Sequence, residues 1–258
     1  MQREKKERKT MKFFKKAIFF VLCAVLFLGT PVISKAAQTT EGAADQQQPK
    51  TGWQTVKGKR YYYDKKGVKV TGLKKIDGAK YYFNKKGVMQ TGLKKIKNKT
   101  YYFDKTYGYM VTIARYKNYL IDYKGVCHKI PNKKTGNKTK DARRVAKLIA
   151  KCVQKKGKGV KDLDRVRQAA FYVYTFCRQC KYTMKGSDYR QAYGVFIAKK
   201  YSCAGATRAL GMVLDCMGYK WKHVNANKYT HQWCQVKMDG KKGYADGQIG
   251  VAGYGKYM

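Results

Sequence analysis

Residues 71–90 read TGLKKIDGAKYYFNKKGVMQ, and variants of this segment make up most of the first half of the chain. TGWQTVKGKRYYYDKKGVKV precedes it at 51–70, and TGLKKIKNKTYYFDKTYGYMV follows it at 91–111. A fourth, degenerate copy, ARYKNYLIDYKGV, closes the array near residue 126. Self-similarity at a period of about 20 residues predicts a repeat architecture.

Each copy has the pattern of a β-hairpin. A short strand leads into a two-residue turn, and an aromatic strand follows. The turns are Lys57-Gly58, Asp77-Gly78 and Lys97-Asn98, and the aromatic strands are Tyr61-Tyr62-Tyr63, Tyr81-Tyr82-Phe83 and Tyr101-Tyr102-Phe103. Pairs such as Asp-Gly permit the positive backbone angles of hairpin turns. Because a lone hairpin cannot bury its aromatic face, we expect the units to stack as a solenoid.

The segment resembles the cell-wall-binding repeats of the choline- and glucan-binding type, whose units carry Gly-Trp, a tight turn and Tyr-Tyr-Phe-Asp. The resemblance implies aromatic cages around a quaternary ammonium, consistent with cation–π attraction. Here the Trp position holds Trp53 once and then Leu73 and Leu93, which favours sugar stacking or contact with an anionic polymer. The alternative is that the aromatic rings only hold the solenoid together. The candidate ligand-binding residues are Trp53, Tyr61, Tyr62, Tyr81, Tyr82, Tyr101 and Tyr102.

The amino end predicts export. A basic segment precedes the apolar run AIFFVLCAVLFLG at 17–29, and Ser34-Lys35-Ala36 offers small residues for cleavage. The run is shorter than the roughly 20 residues that span a bilayer, so residues 1–36 are predicted to be a signal peptide, with membrane contact only during export. Residues 37–50 are predicted to be a solvated linker. We expect the protein to be secreted and associated with the cell wall.

The charge is strongly positive. The chain has 58 Lys and Arg against 15 Asp and Glu, a formal net charge of +43. Such a field attracts polyanions. Export argues against nucleic acid as the partner, and only 11 of the basic residues are Arg. The expected partners are therefore wall glycans or anionic polymers of the teichoic-acid type, although a cationic protein acting on membranes through charge alone has the same composition.

The repeats end at residues 127–140, and helical periodicity begins. ARRVAKLIAKC at 142–152 predicts one amphipathic helix, and residues 163–177 predict a second. Ser187 is expected to cap a third, short helix that ends near Ala198. Cys177 and Cys180 have the CxxC spacing, for which a disulfide or plain thiols are favoured over a metal. Seven cysteines follow the signal segment, and this odd number predicts at least one free thiol.

Three residues form a candidate catalytic set. YSCAGATRAL at 201–210 places Cys203 at the start of a predicted helix that continues to Met217. Unpaired backbone N–H groups at a helix start favour a thiolate. Strands are predicted at 221–227 and 230–239, and the Asp239-Gly240 turn folds Asp246 back along the second of these. A regular hairpin then places Asp246 within reach of His231, which it can orient.

The order of cysteine on a helix start, His-x-Trp on a strand and Asp after a hairpin resembles the transglutaminase-like superfamily of papain-related enzymes. The resemblance implies that Cys203 is the nucleophile, His231 its base and acid, and Asp246 the orienting group. The fold class expected is α+β: a hairpin solenoid at 51–130, then a papain- or transglutaminase-like domain at 138–258, with helices packed on a small antiparallel sheet. The expected function is acyl transfer on protein or peptide amide bonds through a thioester, with no cofactor and no metal. The alternative is a non-catalytic wall adhesin in which the repeats carry the function.

Overall fold

The computed structural model describes residues 50–225 and 230–257. The predicted signal peptide, residues 1–36, lies outside the described residues, as does the predicted linker apart from Lys50. Residues 226–229, which include the end of the predicted strand 221–227, also lie outside them. Within the two described ranges, no helix combines the length and apolarity needed to cross a bilayer.

The first three repeat units are antiparallel β-hairpins, as the turn residues predicted. The hairpins are β1 (Gly52–Val56) with β2 (Lys59–Tyr63), β3 (Gly72–Ile76) with β4 (Ala79–Phe83), and β5 (Gly92–Ile96) with β6 (Lys99–Phe103). In the second hairpin, Asp77 and Gly78 adopt φ values of 48° and 82°, the left-handed region that a two-residue turn between twisted strands requires. The predicted hairpins are therefore confirmed.

Backbone hydrogen bonds and buried rings join successive units. Met89 N donates to Arg60 O of the preceding unit at 2.8 Å, and Met110 N donates to Lys80 O at 2.6 Å. Phe83 and Phe103, at the ends of their strands, are fully buried. The aromatic strands thus bury between units the surface that one hairpin would leave exposed to water.

The fourth copy and the first residues of the predicted junction form a three-stranded sheet that packs on the helices of the second half. Its strands are β7 (Ala114–Tyr116), β8 (Tyr119–Ile121) and β9 (Cys127–Lys129). The Tyr172 hydroxyl donates to Ile121 O at 2.5 Å, and Leu120 and Ile130 belong to the same buried cluster as the helices. The hydrophobic core therefore runs across the predicted junction at residues 127–140.

Among the described residues after the repeats, the main elements are three α-helices and a four-stranded antiparallel sheet. The helices are α1 (Lys138–Cys152), α2 (Asp162–Cys177) and α3 (Cys203–Cys216). The strands are β12 (Trp221–Val224), β13 (Trp233–Met238), β14 (Lys241–Asp246) and β15 (Val251–Tyr254), hydrogen-bonded in that order. A two-stranded parallel pair, β10 (Lys181–Tyr182) with β11 (Lys200–Tyr201), leads into α3. Mixed α and β structure with small antiparallel sheets is thus present.

The short helix expected between Ser187 and Ala198 is not continuous, and that prediction is wrong. Residues Asp188–Arg190 form one 3₁₀ turn, and Gly194–Ala198 form a separate π-helical turn. Gln191 between them is extended, with φ −110° and ψ 155°, and Ser187 makes no side-chain capping bond. The backbone of Gly194 packs so closely on the carbonyls of Asp188 and Lys200 that a Cβ would lie 2.1 and 2.5 Å from their oxygens. Tertiary packing therefore interrupts the helix.

Candidate functional site

The predicted His–Asp pair is present. His231 Nε2 lies 2.6 Å from Asp246 Oδ2, with the carboxylate side chain buried and the imidazole about one-third exposed. The pair forms because β13 and β14 adopt the predicted register, in which Met238 lies opposite Lys241 and Cys234 opposite Ala245. Since Nε2 is engaged, Nδ1 is the ring nitrogen left for another partner.

Two further groups hold the Asp246 carboxylate. Gln248 N donates to Oδ1 at 2.7 Å, and the Tyr257 hydroxyl donates to Oδ2 at 2.6 Å. The Tyr257 ring also stacks on Trp233 at 4.7 Å and on His231 at 5.8 Å. Burial and the hydrogen bond to Asp246 raise the pKa of Tyr257, so the phenol stays protonated and can donate. Tyr257, which follows β15, therefore packs on the His231 ring.

Cys203 is the first residue of α3, as predicted. Ser202 precedes it in an extended conformation and makes no side-chain capping bond, although its hydroxyl is buried. The backbone N–H groups of the first turn consequently have no side-chain cap at Ser202. A helix start of this kind stabilises negative charge next to it.

The first turns of α3 pack on the elements that carry His231 and Asp246. The Cys234 thiol of β13 donates to Thr207 O at 3.4 Å, and Thr207 Oγ1 donates back to Cys203 O at 2.9 Å. Gly247, which follows β14, packs so closely against α3 that a Cβ there would lie 3.0 Å from Ala206 O. The structure thus places the amino end of α3 beside the strand ends bearing the His–Asp pair.

Tyr182 is a neighbour of Cys203 that the sequence analysis missed. It lies on β10, which pairs with β11, and β11 ends directly before Ser202. Burial raises the pKa of the Tyr182 phenol, and the charge of the nearby Cys203 sulfur raises it further. Tyr182 is therefore a polar neighbour of the candidate nucleophile.

All seven cysteines of the described residues are free thiols, including the CxxC pair. Burial raises the pKa of six of them: Cys127, Cys152, Cys177, Cys180, Cys216 and Cys234. Burial raises the pKa to about 11 for Cys127 and Cys180 and to about 12 for Cys152. Such thiols are poor nucleophiles near neutral pH. Within residues 50–225 and 230–257, no group of three His, Cys, Asp or Glu side chains is placed to hold a metal.

The other histidines have different partners. His128 Nε2 lies 2.9 Å from Asp122 Oδ2 in the fourth repeat unit, so the chain contains a second His–Asp pair. His223 Nε2 lies 2.7 Å from Gln232 Oε1, and burial lowers the pKa of the imidazole. Of these three histidines, His231 is the one whose partner Asp246 lies beside α3.

The residues predicted to bind a ligand in the repeats make different contacts in the first unit, which has a Trp, and in the later units, which have Leu at that position. Trp53 contacts the edge of Tyr62 in its own hairpin at 5.2 Å and that of Tyr81 in the next unit at 4.9 Å. In the later units, Leu73 and Leu93 stand opposite Tyr82 and Tyr102 in the strand register where Trp53 stands opposite Tyr62. The Tyr82 ring stacks on Phe103, and Tyr102 stacks on Tyr116 at 4.0 Å. Tyr61 lies under the Lys69 ammonium at 4.9 Å, and Tyr101 bridges to Val126.

An internal cation covers the indole. The Arg60 guanidinium carbon lies 4.5 Å from the centre of the Trp53 ring. Burial raises the pKa of Tyr81, and the positive charge of Arg60 opposes this shift. Trp53 thus lies among the rings of Tyr62, Tyr81 and Phe83, the last at 5.9 Å. The sequence does not single out Arg60, because Lys or Arg occupies many positions of the repeats.

Two family models match the repeats. Residues 70–113 match the choline-binding repeat, and residues 51–69 match a cell wall binding repeat. Residues 51–113 are therefore similar to choline-binding and cell wall binding repeats, and this similarity points to association of the chain with a cell wall. No curated protein shows significant similarity to this chain.

Solved structures of choline-binding proteins resemble about a third of the chain. Choline binding protein F from Streptococcus pneumoniae is 32% identical over 31% of this chain and 27% of its own, with a TM-score of 0.30. The choline binding domain of Spr1274 in Streptococcus pneumoniae is 28% identical over 32% of this chain and 99% of its own, with a TM-score of 0.30. This chain thus spans about a quarter of the length of choline binding protein F.

Proposed function

We propose that this chain is a secreted, wall-attached thiol enzyme that transfers the acyl group of an amide bond. The observation that carries the proposal is the 2.6 Å contact between His231 Nε2 and Asp246 Oδ2 beside the helix start that bears Cys203. A buried carboxylate orients the imidazole and stabilises its protonated form, while the second ring nitrogen serves a nucleophile. The arrangement supports the resemblance to the transglutaminase-like superfamily.

The proposed chemistry follows from these groups. The Cys203 thiolate forms a bond to the amide carbonyl carbon, and the C–N bond breaks after His231 protonates the leaving amine. A thioester remains on Cys203. Water or a primary amine then attacks the thioester and gives its proton to His231 as the thiolate leaves. Hydrolysis and transamidation share the first step, so both envelope peptide cross-bridges and glutamine side chains of surface proteins fit as substrates.

Charge on the carbonyl oxygen needs a donor in the tetrahedral intermediate. The backbone N–H of Cys203 serves this role because it belongs to the uncapped first turn of α3.

A non-catalytic wall adhesin is the second candidate, and the family matches at residues 51–113 favour it. Wall attachment through the repeats needs no thiol chemistry. In that case the His231–Asp246 pair would only brace the sheet, since hydrogen-bonded buried pairs also occur as structural elements.

Alkylation separates the two candidates. The full-length protein is treated with limiting iodoacetamide at about pH 6, and each modified cysteine is located by mass spectrometry. The enzyme proposal predicts modification first at Cys203 and loss of this preference in His231→Gln. His128→Gln is the matched control, because it breaks the other His–Asp pair. Equal modification of Cys203 in wild type and His231→Gln would leave the adhesin as the function.

A further inference from the structure

A cleft of about 450 Å³ lies where the fourth repeat unit meets the end of α2 and the Gly194–Ala198 turn. Of its eleven lining residues, four are basic and none is acidic: Arg115, Lys117, Lys134 and Lys199 are the basic ones. Ile130, Phe196 and Ile197 provide apolar walls. Neither the Cys203 site nor the Trp53 ring group contributes to this lining.

Arg115 is held rigidly at the cleft. Its guanidinium carbon lies 4.0 Å from the centre of the Phe176 ring, and Nη1 donates to Thr175 O at 3.4 Å. Its Nε is buried and has no hydrogen-bond partner among the described residues. A guanidinium that is fixed in place loses little conformational entropy when it binds an anion.

Arg115 also has no counter-ion in the described part of the chain. Burial lowers the pKa of its guanidinium, and the neighbouring group that opposes this shift is the Cys180 thiol rather than a carboxylate. A partly buried cation without an opposite charge is costly, so an external anion would bind here with a favourable electrostatic gain.

The lysines add charge around this fixed point. Lys117 and Lys199 occupy turn positions with φ of 51° and 56°, and both side chains are solvent-exposed at the cleft. No described carboxylate lies in ion-pair contact with Lys117, Lys134 or Lys199. One guanidinium and three ammonium groups next to an apolar wall suit a multiply charged anion that carries a carbon skeleton.

We propose that this cleft binds a phosphate ester of a wall polymer, with Arg115 holding the phosphate oxygens and the lysines neutralising its charge. A guanidinium presents paired donors that match phosphate geometry, and the walls formed by Phe196 and Ile197 accommodate the polyol or sugar carbons. The site would give the chain a second contact with a wall polyanion, separate from the aromatic faces of the repeats.

The test measures binding of glycerol 3-phosphate and of a glycerol phosphate oligomer to the full-length protein by calorimetry at fixed salt. The cleft variant is Lys117→Asn with Lys199→Asn, because Asn tolerates a positive φ. The matched control is Lys65→Gln with Lys66→Gln, which removes two exposed charges from the first repeat unit. Citrate serves as an anion that lacks phosphate.

We expect the cleft variant to weaken binding of the phosphate probes at least about tenfold, and the control by less than about twofold. The cleft variant should also lower the salt dependence of binding, because fewer cations contact the polyanion. Binding of the oligomer alone assigns the site to internal phosphodiesters, whereas equal binding of both probes assigns it to a terminal phosphate. Equal weakening by both double variants, equal binding of citrate, or no binding of either phosphate probe would overturn the proposal.

Arg115→Lys provides the second variant. It keeps the charge and removes the paired donors, so phosphate binding should weaken while thermal unfolding of the free protein changes little. Unchanged phosphate affinity in Arg115→Lys would overturn the role of the guanidinium. Unfolding of the free variants is recorded alongside, so that loss of binding is separated from loss of fold.

Discussion

His231 Nε2 and Asp246 Oδ2 lie 2.6 Å apart although the residues are 15 positions apart in the chain. The Asp239-Gly240 turn makes this possible, since φ values of 51° and 78° reverse the strand within two residues. The same carboxylate oxygen accepts the hydrogen bond of Tyr257. The pair is therefore a three-residue cluster, and its third member comes from the segment after β15.

Tyr257→Phe is expected to slow alkylation of Cys203 by about tenfold or more, because a hydrogen bond to an ionised group contributes roughly 1.5–3 kcal/mol and about 1.4 kcal/mol corresponds to tenfold. Losing it lets Asp246 and His231 leave their present orientation. Tyr254→Phe is the control. Tyr254 is the last residue of β15, and its hydroxyl donates a similar hydrogen bond to Asp239 Oδ2 at 2.7 Å. The rates are compared by mass spectrometry, and equal rates in the two variants would contradict the prediction.

Tyr182→Phe is expected to slow alkylation of Cys203 at a fixed pH about two- to tenfold, because a hydrogen bond contributes roughly 0.5–1.5 kcal/mol. Tyr182 lies on β10, beside the strand that leads into Cys203, and burial raises the pKa of its phenol, so the hydroxyl stays protonated and can donate to the thiolate. Tyr201→Phe is the control because its ring lies 5.3 Å from that of Tyr182 on the paired strand. An unchanged rate in Tyr182→Phe would show that the phenol does not act on the sulfur.

The Trp53 rings can be tested for binding of an external cation: if choline binds there, Arg60→Gln should raise its affinity about two- to fivefold, because a cation over an indole contributes roughly 0.5–1 kcal/mol. The Arg60 guanidinium now covers the face of Trp53 and competes with an external cation. Quenching of tryptophan fluorescence by choline measures the affinity, and Trp53→Leu identifies the signal from this indole. Lys69→Gln removes a cation that lies over Tyr61 instead, so a similar gain in that variant would point to net charge rather than the ring.

Gly205→Ala is expected to destabilise the protein by about 1–3 kcal/mol, as measured by urea unfolding. A Cβ at this position of α3 would lie 2.2 Å from Tyr189 O, a backbone atom that accepts the hydrogen bond of Ser202 N. The substitution therefore displaces the start of the helix together with Cys203. Gly157→Ala is the control, because its Cβ meets nothing within 4 Å and its effect should stay within about 0.5 kcal/mol. Equal unfolding free energies for the two variants would refute this packing argument.

Several features follow from the chain's own sequence because they depend on local chemistry. The period of about 20 residues, the hairpin turns at Asp77-Gly78 and Asp239-Gly240, and the start of a helix at Cys203 each rest on a few neighbouring residues. Counting from the Asp239-Gly240 turn was enough to bring Asp246 towards His231, since a regular antiparallel register leaves no freedom within one hairpin.

Contacts between distant segments depended on the tertiary structure. Tyr182 meets Cys203 through a parallel strand pair, Tyr257 returns to Asp246 after β15, and Arg115 faces a cleft built from both halves of the chain. No local pattern encodes these contacts, because each requires the packing of elements whose relative positions are set by the shared core. The broken helix between Ser187 and Ala198 has the same origin, since close backbone packing at Gly194 outweighs its helical pattern.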